Sequence, residues 1–233
     1  MSLHTIKENA KTIFETIERA SKKSPYSQDV TVCAATKTRT PEEINLLPSL
    51  GINTIGENRV QELLEKYDRL DREHLNIHFI GALQTNKVKY IIDKVCMIQS
   101  VDRLSLAAEI DRQAKKHSII MDVLCEINIA NEQSKSGVAP EEACAFAKDL
   151  SSFSNLRLCG IMSVPPICTD FELQKQYFKK IMQIFIDIRH QNMDNNSMRI
   201  LSFGMSGDYA SAVECGSTMI RVGTALFGPR NYK

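Results

Sequence analysis

The stretch VTVCAATK, residues 30–37, is a short run of β-branched and small residues that ends on a lysine. Alternation with a period of two sets Val30, Val32 and Ala34 on one face and Cys33, Ala35 and Lys37 on the other. Seven further runs of this kind follow: NTIGEN (53–58), NIHFIGAL (76–83), MIQSVD (97–102), IIMDVLCEINI (119–129), LRLCGIMSV (156–164), MRILSFGMS (198–206) and MIRVGTALFG (219–228). Between them lie RVQELLEKYDRL (59–70), RLSLAAEIDRQAKKH (103–117), PEEACAFAKDL (140–150) and FELQKQYFKKIMQIFIDIRHQ (171–191). Their apolar residues recur three or four apart with charges between, the pattern of surface helices. Strand and helix alternate without a Pro-rich linker, composition break or low-complexity segment. This order predicts an α/β fold whose parallel sheet closes on itself, a (β/α)8 TIM barrel, with an open doubly wound sheet as the competing arrangement.

Ahead of the first run, Leu3, Ile6, Ala10, Ile13, Phe14 and Ile17 fall at helical spacing. Residues 3 to about 22 are expected to form an amphipathic helix, within a segment 1–24 packed on the barrel. One barrel uses all 233 residues, so a single domain over 1–233 is expected. Lys and Arg total 29 against 28 Asp and Glu, a formal net charge of +1. No global field then draws the chain to nucleic acid or an anionic membrane, and any phosphate must be held locally.

The seven cysteines, Cys33, Cys96, Cys125, Cys144, Cys159, Cys168 and Cys215, are odd in number and form no C-x-x-C pair, which suits a reducing compartment. No apolar run reaches the ~20 residues of a membrane helix. Glu8, Glu15 and Glu18 speak against a mitochondrial transit peptide. A soluble, cytoplasmic and monomeric protein is expected.

In a closed parallel barrel the chemistry stands at the carboxyl ends of the strands. That rule selects Lys37, Asn58, Ser134 with Lys135, Ser206 with Gly207, and Gly223 with Thr224, the last two read as lying within the eighth strand. Lys37 is either a lysine reaching to solvent from a strand end or a partly desolvated amine available to a carbonyl. The segment LSFGMSGD (201–208) offers Ser202, Gly204, Ser206 and Gly207, small residues whose backbone N–H groups can approach an anion, ahead of a short helix in DYASAVECG (208–216). Gly223 and Thr224 add a second small backbone and a hydroxyl at the adjacent strand end. Together the two segments suggest a phosphate site on strands seven and eight. Arg221 shares a face with Gly223 and points into the lumen, where it needs a partner; Glu57 and Glu126 are the acidic choices.

The blocks VCAATKTRT, IGENRVQE, HFIGALQTNK, SVDRLSLA, INIANEQSKSGV, LCGIMSVPP, LSFGMSGD and GSTMIRVGTALFG, in this order over nearly the whole chain, resemble the pyridoxal phosphate homeostasis protein family. The resemblance implies a barrel like the N-terminal domain of alanine racemase, pyridoxal 5′-phosphate as cofactor with Lys37 as its aldimine lysine, and a role in cofactor homeostasis without an established reaction. It also implies Asn58 near the ring, Ser206, Gly207, Gly223 and Thr224 around the phosphate, and Arg221 near the pyridine nitrogen; Ser202, from the same segment, is counted among the cofactor-binding residues. The family's first motif more often reads S-K-T; here it is Thr36-Lys37-Thr38, which keeps the hydroxyl, and Arg39 retains a basic residue two positions on. A guanidinium at the ring nitrogen favours an unprotonated, poorer electron sink. Racemases add a second domain that brings a tyrosine to the substrate; here the chain stops at Lys233, and this weighs against racemisation.

Other features fit ordinary structural roles. His74 and His78 lack a third ligand, so no metal is expected. Met97, Met162, Met182, Met205 and Met219 suit core filling. Cys215 reads as an inert thiol, Pro165 and Pro166 as a loop, and Lys135 as a solvated loop lysine that alternatively closes over the site. Three functions compete: a carrier that supplies the cofactor to apoenzymes, a racemase-like enzyme on small amino acids, and an interaction scaffold with a structural cofactor.

Overall fold

The chain places a buried apolar stripe and a strand-forming run ahead of every rim loop, and these build the barrel in order. The computed structural model describes residues 3–26, 28–168, 170–191 and 196–229. Helix α1 (Leu3–Ser21) precedes β1 (Thr31–Ala35), α2 (Pro41–Asn45), β2 (Thr54–Glu57), α3 (Val60–Lys66), β3 (Asn76–Phe79) and β4 (Met97–Val101). Then come α4 (Leu104–Lys116), β5 (Met121–Ile127), α5 (Ala143–Ser151), β6 (Leu156–Ser163), α6 (Phe171–Arg189), β7 (Asn196–Met205), α7 (Tyr209–Glu214), β8 (Met219–Val222) and α8 (Thr224–Phe227). The strands pair in parallel in chain order, and β8 closes on β1. The open-sheet alternative is thereby excluded.

Two features depart from the sequence reading. A 3-10 segment, Thr85–Tyr90, occupies the place of the helix after β3. Strand β8 stops at Val222, so Gly223 and Thr224 open α8 instead of continuing the strand. Short α2 escaped the periodicity, but its signal is local: Pro41 at the first turn and a reciprocal Thr40–Glu43 capping box.

Outward residues of the strands, among them Val32, Ile55, Phe79, Val123 and Ile220, join the helices in one continuous core. A small separate cluster of Met97, Leu124, Cys159 and Met162 fills the lumen. Helix α1 buries Ile6, Ala10, Ile13, Ile17 and Ala20 against α7 and α8, and Asn9 Nδ2 donates to Leu226 O at 2.9 Å. The helices carrying the rim of β7 and β8 are thus backed by the N-terminal segment. Among the described residues no helix is long and apolar enough to cross a membrane.

Candidate functional site

Lys37 stands two residues past β1, half-buried, in a turn. Cys33 beneath it is fully buried and lies outside the strand–helix core that holds Val32 and Ala34, so the predicted inward face holds. Register pairs Cys33 with Arg221 and Ala34 with Val222 across β1 and β8, and Ala35 with Gly56 across β1 and β2. The ends of β8, β1 and β2 therefore set Gly223, Lys37 and Asn58 in one quadrant of the rim. Gly223 packs there against Ala35, its would-be Cβ 3.6 Å from Ala35 Cβ.

Ser206 joins β7 to this quadrant. Its hydroxyl oxygen accepts the backbone N–H of Gly223 at 3.0 Å and of Ala225 at 3.1 Å. Two amides at the start of α8 already converge on one oxygen atom, the arrangement that an anion's oxygen exploits. Gly207 beside it has open space where a side chain would begin. Asn58 is pressed from behind by Gly81, where a Cβ would lie 2.2 Å from Asn58 O. The Asn58 Oδ1 atom is buried and has no hydrogen-bond partner, a cost that a ligand donor would remove.

Arg221 does point into the lumen, but neither expected carboxylate pairs with it. Its Nη1 donates to Ser202 O at 2.9 Å and to Ser202 Oγ at 2.6 Å, and its Nη2 to Ser163 O at 2.9 Å. Carbonyl oxygens at the end of β6 and within β7 hold the guanidinium in place of a second charge. Ser202 is fully buried within the β6–β7–β8 ladder, and its hydroxyl also donates to Gln99 Oε1 at 2.8 Å. The structure thus places Ser202 in the floor, fixing Arg221, away from the Ser206–Gly223 cradle. Gly204, with φ of 94°, backs onto Ala212 of α7 and faces away from the rim.

Beneath the rim, Gln99 Nε2 lies 2.8 Å from His78 Nδ1. Burial lowers the His78 pKa to about 4, so the neutral ring accepts this bond. His74 lies on the surface beside Asp71 at 3.0 Å, on no common site with His78. Met97 and Met162 belong to the lumen filling, and Cys215, its thiol pushed up mainly by burial, caps the end of α7. Lys135 donates to Val164 O at 3.3 Å and pairs with Glu132 at 2.9 Å, tying the β5 and β6 loops together.

The sequence reading weighed Glu126 only as an Arg221 partner. Burial, reinforced by Asp102 and opposed by Arg221, pushes its carboxyl up to about 7, and its Oε2 has no hydrogen-bond partner. Glu57 is fully enclosed behind Lys37, bonded to Lys66 and Thr36. A carboxylate near the carboxyl end of an otherwise mostly apolar strand was the available signal for both. A cavity of about 860 Å³ opens at the opposite, amino-terminal end of β1, β7 and β8, bordered by Thr31, Leu201 and Thr218. The lysine and the convergent amides are at the other end, with the guanidinium in the lumen below them.

These features define a barrel of the cofactor-binding class, with an amine, two convergent backbone amides and a lumen arginine at one mouth. The model of the alanine racemase N-terminal domain matches residues 3–231. The pyridoxal phosphate homeostasis protein of Aquifex aeolicus is 38% identical over 226 residues, covering 97% of this chain and 98% of that protein. A crystal structure of an unknown protein from Bifidobacterium adolescentis superposes with a TM-score of 0.92 at 32% identity, over 97% of this chain and 95% of that one. PipY of Synechococcus elongatus, solved with PLP bound, gives a TM-score of 0.83 at 27% identity, over 96% and 100% of the two chains. The chain belongs to the pyridoxal phosphate homeostasis protein family.

Proposed function

We propose that this protein binds pyridoxal 5′-phosphate at the carboxyl rim and serves its intracellular homeostasis, holding the cofactor covalently through Lys37 and supplying it to apoenzymes. One observation carries the reading: the Lys37 turn adjoins the point where the Gly223 and Ala225 amides converge on the Ser206 oxygen. Ser206, Gly207, Gly223 and Thr224 then receive the phosphate, Asn58 Oδ1 takes a donor from the ligand, and Arg221 faces the ring, oriented by Ser202. When bound, the cofactor supplies an aldehyde carbon and an electron-accepting ring. Arg221 has only donors to offer a ring nitrogen and does not stabilise its protonated form, so the site suits retention better than carbanion chemistry. Seven free thiols agree with a reducing cytoplasm as the working compartment.

The test is borohydride reduction of the loaded protein followed by mass spectrometry. The reduced adduct is expected on Lys37 and absent from Lys37→Ala; an adduct mainly on Lys87 or Lys135 of the unaltered protein would refute the assignment. Pairing delivery to an apoenzyme with a cofactor-trapping control separates direct transfer from simple dissociation.

Glu126 favours a second reading, a racemase-like enzyme. A lumen carboxyl that changes protonation near neutrality is suited to proton transfer. Racemisation of small amino acids that vanishes in both Lys37→Ala and Glu126→Gln, with no delivery to an apoenzyme, would establish it over the carrier.

A further inference from the structure

Behind the Lys37 turn, on the outward side of β1 and β2, the strand–helix layer contains a buried charged cluster. Thr36 follows the outward-facing Val32 and Ala34, and Glu57 follows the outward-facing Ile55. Lys66, on the last turn of α3, reaches this point with a side chain only 7% exposed. Its Nζ lies 2.7 Å from Glu57 Oε1 and 3.3 Å from Glu62 Oε1, and it donates to Thr36 O at 2.9 Å. The Thr36 hydroxyl donates to Glu57, and the Thr38 backbone N–H donates to Glu62. Thr36 is therefore bonded to Glu57 and Lys66 and Thr38 to Glu62, so both residues flanking Lys37 are held by one cluster. Thr38 has φ of 64°, a conformation that a β-branched residue keeps only when its surroundings impose it.

A buried ion pair is seldom the cheapest way to fill such a space; apolar residues of similar volume usually serve stability as well or better. Here Ile55, Leu63 and Val88 already supply apolar packing to the same layer. What apolar side chains cannot do is grip a carbonyl at Thr36 and an amide at Thr38 from one side. We propose that Glu57, Lys66 and Glu62 form a clamp that positions the Lys37 turn and thereby sets how tightly the protein retains its cofactor. The inference rests on Lys37 being the point of attachment. None of the three residues touches the rim quadrant through the contacts described; they act through Thr36 and Thr38 as positioning residues.

The decisive variant is the double replacement Glu57→Leu with Lys66→Met, which removes the buried Glu57–Lys66 pair while keeping its volume and leaves the partly exposed Glu62 in place. The cofactor-free variant is expected to unfold within a few degrees of the unaltered protein. Loaded with pyridoxal phosphate, it should release cofactor to a trap at least about tenfold faster, the equivalent of one lost hydrogen bond to a charged group, and its visible absorption band should shift. Glu62→Ala, on the partly exposed face of α3, frees the Thr38 amide and leaves Lys66 its Glu57 and Thr36 partners, and should speed release about threefold without loss of fold, a fraction of one such bond. Restoring the acceptor with Glu62→Gln should recover the original rate.

Unchanged release rate and spectrum in folded Glu62→Ala or in the folded double variant would overturn the clamp. Should the double variant fail to fold, the release rates of the two Glu62 variants decide between a clamp and its absence. Failure of the underlying reading shows itself separately, as absence of a Lys37 adduct in the unaltered protein.

Discussion

Glu126 carries a carboxyl at the mouth of the lumen whose proton is held by burial, with Asp102 adding to the effect and Arg221 opposing it. Its folded pKa of about 7 lies above the ordinary 4.5, so between those values the folded state keeps a proton that the unfolded chain has lost. The stabilisation is fully present below the unfolded value and is lost as pH rises through about 7, on the order of 3 kcal/mol in all. Glu126→Gln removes this titration while keeping the shape. In urea unfolding of the cofactor-free protein, the variant should match the original at pH 5 and exceed it at pH 8. Glu57 and Asp208 are also raised by burial, but both proteins share them and their contributions cancel in the comparison. A variant weaker at both pH values would instead mean that Arg221 holds the charged carboxylate.

Elements matter here for what their ends do. The β2–α3 connection presents Asn58, and its path is set by contact with the second residue after β3: a Cβ on Gly81 would sit 2.2 Å from Asn58 O and 2.7 Å from its Cα. Backbone, unlike a flexible side chain, cannot step aside. Gly81→Ala should cost about 1–3 kcal/mol of stability, the usual range for overpacking, and weaken pyridoxal phosphate binding at the same time by turning Asn58 away. Thermal unfolding and a binding titration on one preparation check both. Loss of stability with unchanged affinity would remove Asn58 from the site. Most of this region was readable in the sequence as a strand end bearing Asn58. The Gly81 contact was not, because 23 residues separate the two positions and only β2–β3 register brings them together.

For the whole molecule, the proposed phosphate cradle draws on β7, β8 and α8, and α1 braces α7 and α8 from outside. Ligand that binds only the folded chain stabilises it by mass action, about 2.7 kcal/mol at a hundredfold excess over Kd. For a domain of this size that corresponds to a rise of about 5–10 °C in Tm. Pyridoxal lacking the phosphate should give much less, since each hydrogen bond to a charged acceptor is worth about 1.5–3 kcal/mol. Ser206→Ala combined with Thr224→Ala should bring the two vitamers' effects together. Equal shifts in the unaltered protein would dispose of the cradle.

Local sequence alone determined a great deal: which runs extend, which faces turn inward, and that Lys37, Asn58 and Ser206 stand at strand ends. These follow from side-chain period and from short-range sterics, which act within a few residues. Tertiary structure decided the rest. Thr224 left its strand for α8, Arg221 was satisfied by carbonyls of β6 and β7 instead of Glu57 or Glu126, and Ser202 became its support. Lys66, read as part of a surface helix, proved to be enclosed against Glu57 and the Lys37 turn. Partners of this kind are chosen by barrel closure and strand register, which bring together residues 20 to 60 positions apart, and no local pattern records which buried charge will meet which carbonyl.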